Sequence, residues 1–188
     1  MMTTIKRLLA VGLLAVSFSA AQAASITLNP SAASVGVGGT VDVTFTMNFT
    51  GQATLGGGFD LLYNAAVLSL DTWSYEEIGD PDFLGPATPG VGSITAIAFG
   101  DFAGLTGPAW FGTASFSAIG AGTANFAMSD NVGPAGPFID LVTYAPITVS
   151  YVTSGFEVTA VPVPAAAWLF ASAFTGLIWV RLQNPISV

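Results

Sequence analysis

Apolar and polar positions alternate with a period of two through most of this chain, most clearly in TVDVTFTMNF. There Val41, Val43, Phe45, Met47 and Phe49 alternate with Asp42, Thr44, Thr46 and Asn48. Successive side chains of an extended chain point to opposite sides, so this segment predicts a strand with one buried and one wet face. Similar alternation, or enrichment in β-branched and aromatic residues, predicts strands at 25–29, 59–63, 67–75, 94–99, 109–119, 123–129 and 139–152. Between them lie the clusters GVGG, LGGG, GDPDFLGPATPGVG, GLTGP, GAG and NVGPAGP. These supply the positive φ angles and the missing donors that turns require. Short strands punctuated in this way predict an all-β sandwich over residues 24–155.

The two ends depart from this pattern. Lys6 and Arg7 precede an apolar run, 8–18, that is followed by Ala21, Gln22 and Ala23. This reads as a secretory signal peptide over 1–23, with cleavage between Ala23 and Ala24. At the other end, an extended linker over 156–164 leads into a charge-free stretch, 165–180, and then Arg181 within a short tail, 181–188. Pro162 and Pro164 each fix φ and lack a donor, which holds the linker extended. The apolar stretch reads as a membrane helix with its tail on the cytoplasmic side. At about 1.5 Å per residue it reaches roughly 24 Å, short of a hydrocarbon core of about 30 Å.

Charge narrows the range of partners. Lys6, Arg7 and Arg181 are the only basic residues, so the exported body carries none and the chain has a formal net charge of −8. A stretch of this length ordinarily holds roughly 15 to 20. Nucleic acid is excluded, because no cation is present to neutralise a phosphate. Ion pairs within the body are excluded by the same count. With no cysteine, disulfides, thiolate metal sites and thiol nucleophiles are excluded together, and stability rests on a packed core.

The residues Val161, Pro162, Pro164, Ala165, Ala166, Trp168 and Leu169 resemble the PEP-CTERM class of bacterial sorting signals, in the variant that reads VPxPAAxWL. The resemblance implies handling by an exosortase in a Gram-negative bacterium, with signal peptidase acting at the other end. It further implies a destination in the cell envelope, on the cell surface or in the extracellular matrix. The family closes with several basic residues, whereas here Arg181 is followed by LQNPISV. A second resemblance lies in the body. The segments SITLNPSAASVGVGGTVDVTFTM, GFDLLYNAAVLSL and GTASFSAIGAGTANFAMSD are similar to the strands and turns of cohesin-like modules, within the wider superfamily of carbohydrate-binding modules. That resemblance implies a jelly-roll sandwich that binds a protein or a polysaccharide and performs no chemistry.

Candidate chemistry is sparse. The chain has no His and no Cys, so the commonest general base and the strongest nucleophile are missing. Glu76, Glu77, Asp80 and Asp82 form the one dense carboxylate segment. A solvated acidic loop is the plain reading. An oxygen-only Ca²⁺ site is the functional alternative, without EF-hand spacing, and a glycosidase would need two such carboxylates about 5 to 9 Å apart. Trp73, Tyr75 and Trp110 are candidates for stacking against sugar rings, with core packing as the alternative. The expectation is therefore a non-enzymatic structural or adhesive surface module that needs no cofactor and binds polysaccharide, or alternatively docks a protein.

Overall fold

The computed structural model describes residues 23–76, 78–131, 133, 136–161 and, further on, 169–170, 172–175 and 178–179. Among these residues, thirteen strands run in chain order. They are β1 (Ser25–Pro30), β2 (Ser34–Gly36), β3 (Thr40–Asn48), β4 (Thr54–Tyr63), β5 (Leu68–Tyr75), β6 (Thr88–Gly90) and β7 (Ser93–Leu105), followed by β8 (Ala109–Ala118), β9 (Gly122–Ala124), β10 (Phe126–Asp130), β11 (Ile139–Asp140), β12 (Ser150–Val152) and β13 (Phe156–Thr159). A first sheet has the order β12-β1-β3-β8-β5, and a second the order β10-β4-β7-β6, with β11 added on β4. A small third sheet has the order β2-β13-β9. Apart from β1 with β12 and β2 with β13, which are parallel, the pairings are antiparallel.

The inward positions of the alternating strands meet as a phenylalanine core. Phe45, Phe59, Phe99 and Phe111 are all buried, with Phe99 and Phe111 ring centroids 4.5 Å apart and Phe59 edge-on to Phe111 at 5.9 Å. Phe138 continues the stack to Phe49 at 5.2 Å. At the other end of the sandwich Phe116 packs on Phe126, and Phe126 on Phe156, at 5.5 and 6.1 Å. Offset and tilted aromatic pairs of this kind add to the burial of their area.

Three features differ from the sequence expectation. LGGG, expected as a turn, lies inside β4. A Cβ on Gly57 would stand 2.5 Å from the Phe138 backbone, and one on Gly56 2.5 Å from the Phe99 carbonyl oxygen, so these glycines let neighbouring backbones close on the strand. The strand expected over 139–152 is broken into β11 and β12. Asp140 Oδ1 accepts from the N–H groups of Val142 and Thr143 and from the Thr143 hydroxyl, folding the chain into a turn in which Tyr144 takes φ 57°. Finally, 156–159, the start of the expected linker, is strand β13, and its Phe156 and Val158 are buried.

The expected signal peptide, apart from Ala23, lies outside the described residues. So do Pro162, Pro164, Ala165, Ala166, Trp168 and Arg181. The described residues of the expected membrane segment are helical and exposed, Leu169 among them. Among the described residues no helix is long and apolar enough to cross a membrane. Val161 and Ala23 are exposed, whereas Ala24 is buried and its carbonyl accepts from the Ser150 N–H.

Candidate functional site

The outward positions of β3, β8 and β5 build one continuous polar face. Register places Asp42 beside Ser115, Thr44 beside Thr113 and Thr40 beside Ser117. On the other side of β8, Ser117 pairs with Ser69, Ser115 with Thr72 and Thr113 with Ser74. These positions carry hydroxyls and carboxylates, and the exposed Trp110 of β8 is paired with Thr46 of β3. Ser117 Oγ donates to Asp71 Oδ2 at 2.7 Å, and Ser115 Oγ donates to Asp42 Oδ1. β1 extends the face with Asn29, whose amide lies 3.5 Å from Thr46 Oγ1. Each bonded carboxylate retains free acceptor capacity.

Asp71 owes its place to a register shift between Leu70 and Thr72. Two successive β5 residues, Asp71 and Thr72, are exposed there, and the next residue, Trp73, turns inward. Its ring meets Phe45 edge-on at 5.2 Å and Tyr75 at 5.4 Å, so it packs on the core. Trp73 Nε1 is buried beside the Tyr75 hydroxyl without meeting full hydrogen-bond geometry. The Tyr75 hydroxyl accepts from the Ala98 N–H at 3.1 Å. Burial pushes the Tyr75 phenol up to about 12, with the Ala98 N–H acting in the opposite direction. Of the three aromatic candidates, Trp110 alone is largely exposed, at 48%, and its Nε1 donates to the Gly112 carbonyl at 2.9 Å. The structure thus separates Trp110 from Trp73 and Tyr75, and no flat three-ring platform forms.

The acidic segment is similarly dispersed. Glu76 follows β5 and its N–H donates to the Phe111 carbonyl. Asp80 caps a 3-10 turn, Pro81–Phe83, by accepting from the Asp82 N–H at 3.0 Å, while Asp82 is exposed. Glu77 lies outside the described residues. Among the described residues no three carboxylates converge as a metal cage.

Sandwiches of this layout occur among solved structures. The fold is similar to that of cohesin modules. The seventh ScaB type I cohesin of Pseudobacteroides cellulosolvens superposes with a TM-score of 0.55 at 16% identity, over 74% of this chain and 94% of that module. The sixth cohesin of scaffoldin B from Acetivibrio cellulolyticus, solved in complex with a Cel5 dockerin variant, gives 0.58 at 15% identity over 73% and 99%. The OlpA cohesin of a Clostridium thermocellum type I cohesin–dockerin complex gives 0.55 at 11% identity over 73% and 99%. No protein-family profile matches the sequence, and no curated protein does.

The polar face is assembled across strands distant in the chain, so the sequence shows its residues without showing the face. Its signal was nonetheless present. The polar partners of the alternation, Asp42 and Thr44 in one strand and Thr113, Ser115 and Ser117 in another, are its components. Only their adjacency was missing.

Proposed function

We propose that this chain is an exported, non-enzymatic docking module whose cohesin-like sandwich binds a protein partner through the polar face of β3, β8 and β5. The observation that carries this reading is the likeness in fold to nearly whole cohesin modules, two of them solved with dockerins bound. Asp42 and Asp71 would receive basic or donor-rich side chains of the partner, and the surrounding hydroxyls would adapt as donors or acceptors. Polysaccharide binding has less support, since of the three aromatic candidates only Trp110 is exposed and it offers one stacking surface. The termini support delivery by a signal peptide and sorting by an exosortase into the envelope or extracellular matrix.

The test begins with a partner cross-linked to the protein in the exported fraction of its host and then purified. Its affinity for an Asp42→Lys/Asp71→Lys variant should fall at least tenfold while the variant keeps the native circular dichroism spectrum. An unchanged affinity would reject this face. Glycan binding abolished by Trp110→Ala would restore the polysaccharide reading in its place. Intact mass of the native protein checks sorting, with a species that begins at Ala24 and ends near Pro164 as the expected result.

A further inference from the structure

β5 ends the first sheet, and its outer edge carries main-chain groups that no strand pairs. It has eight residues, whereas the other strands that end the two large sheets have three in β6, five in β10 and three in β12. The ladder defines which groups are free. The Ile119 N–H donates to the Val67 carbonyl and the Glu76 N–H to the Phe111 carbonyl. Alternation along an antiparallel pair then makes Ser69, Thr72 and Ser74 the residues bonded to β8 and turns the main chain of Leu70, Trp73 and Tyr75 away from it. Among the described residues these three make no further main-chain bond. Their side chains point between the sheets and are half-buried.

A cleft of about 440 Å³ opens along the same margin, between β5 and the turn from β6 to β7. Tyr63, Leu68, Leu70, Pro89, Val91 and Ile119 supply most of its apolar lining. Two bonds hold the turn in place, from the Tyr63 hydroxyl to the Gly90 carbonyl at 3.0 Å and from the Tyr63 N–H to the Gly92 carbonyl at 2.9 Å. Val91 at its tip is 95% exposed, and Ile119 across the cleft is 54% exposed. A strand laid against β5 would bond to the free main chain and drop alternate side chains into this preformed space.

Charge selects the strand. The bulge at Asp71 and Thr72 and the Asp71 carboxylate are devices that discourage pairing between copies, and the described body has no basic residue to set against Asp71. A partner with a Lys or Arg at the neighbouring outward position gains what a second copy lacks. From this geometry we propose that the free edge of β5 binds a partner protein by strand addition, taking an extended segment with aliphatic side chains toward the cleft and one Lys or Arg beside Asp71. This goes beyond docking through the polar face and stands if that face binds nothing.

The experiment uses the immobilised full chain and a positional-scanning library of acetylated, amidated hexapeptides. Enriched sequences should alternate aliphatic with polar residues and include one Lys or Arg. N-methylation of the best peptide, one amide at a time, should cut affinity at least tenfold at every second position and little between them. Val91→Ser and Asp71→Asn, two exposed substitutions, should each weaken binding at least fivefold, and Asp42→Asn should leave it unchanged. Absence of enrichment, N-methyl losses without a period of two, or affinity unchanged in both margin variants would overturn the proposal. So would sedimentation showing a dimer of this chain that the peptide dissociates, since the edge would then belong to a second copy. Displacement of the peptide by neutral oligosaccharides would overturn it too.

Discussion

Thr54 is fully buried at the start of β4. Its hydroxyl donates to the Ile139 carbonyl at 2.9 Å and accepts from the Gly56 N–H at 3.0 Å, which fixes β11 to the sheet. Thr54→Val keeps the shape and removes both bonds, leaving a carbonyl and an N–H unsatisfied in the interior. The expected loss is about 1–3 kcal/mol, read as a lower urea midpoint with an unchanged slope. Trp73 and Trp110 carry the lesson of legibility at this scale. Both lie in expected strands, yet one is packed and the other half exposed. The extra residue at Asp71 and Thr72 reverses the side to which every later β5 side chain points and so turns Trp73 inward. A bulge of this kind depends on the partner strand, and β8 is more than thirty residues away.

Among the elements, the long alternating strands are readable, as is β1, whereas the short β2, β6 and β13 are not. β3, β5 and β8 follow from their own patterns, because eight to ten residues repeat the period often enough to distinguish strand from loop. β13, with the four residues FEVT, repeats it only twice. It is defined by its neighbours, parallel to β2 and antiparallel to β9. Glycines were misleading in the opposite sense, since LGGG signals a turn by composition but serves close packing within β4. The prediction at this scale concerns the boundary. A chain spanning 24–161 should unfold cooperatively, whereas one ending at Gly155 loses Phe156 from its contact with Phe126. Removing a buried phenylalanine side chain costs about 3–5 kcal/mol by itself, and loss of the Val158 side chain adds to this. Thermal denaturation followed by circular dichroism should show a marked drop in midpoint for the shorter chain or no transition at all. Equal midpoints would mean that β13 contributes nothing.

For the whole molecule, the absence of basic residues from the described body removes ion pairs from its pH response and makes the buried phenols prominent. Tyr75 is raised to about 12 chiefly by burial. Tyr151 is raised as well, by burial first and then by Asp130 and Asp60, and its hydroxyl donates to Asp130 Oδ1 at 2.5 Å. An unfolded tyrosine ionises near pH 10. Above that pH the unfolded chain binds fewer protons than the folded one, so stability falls as pH rises. The stabilisation from these neutral phenols is complete below about pH 10 and declines between that value and the folded pKa, a window that extends to about 12 for Tyr75. Phenolate absorbance from Tyr75 and Tyr151 should therefore appear together with loss of the circular dichroism signal during alkaline titration. A Tyr75→Phe/Tyr151→Phe variant should be less stable at neutral pH, by about 1 kcal/mol for each lost hydrogen bond, yet flatter in stability between pH 10 and 12. The same alkaline slope in the variant would place the sensitivity elsewhere. The two sites also bear on the architecture, because Tyr75 belongs to β5 and bonds to β7, and Tyr151 belongs to β12 and bonds to β10. Each hydroxyl joins the first sheet to the second, so ionising either one acts on the contact between the two layers.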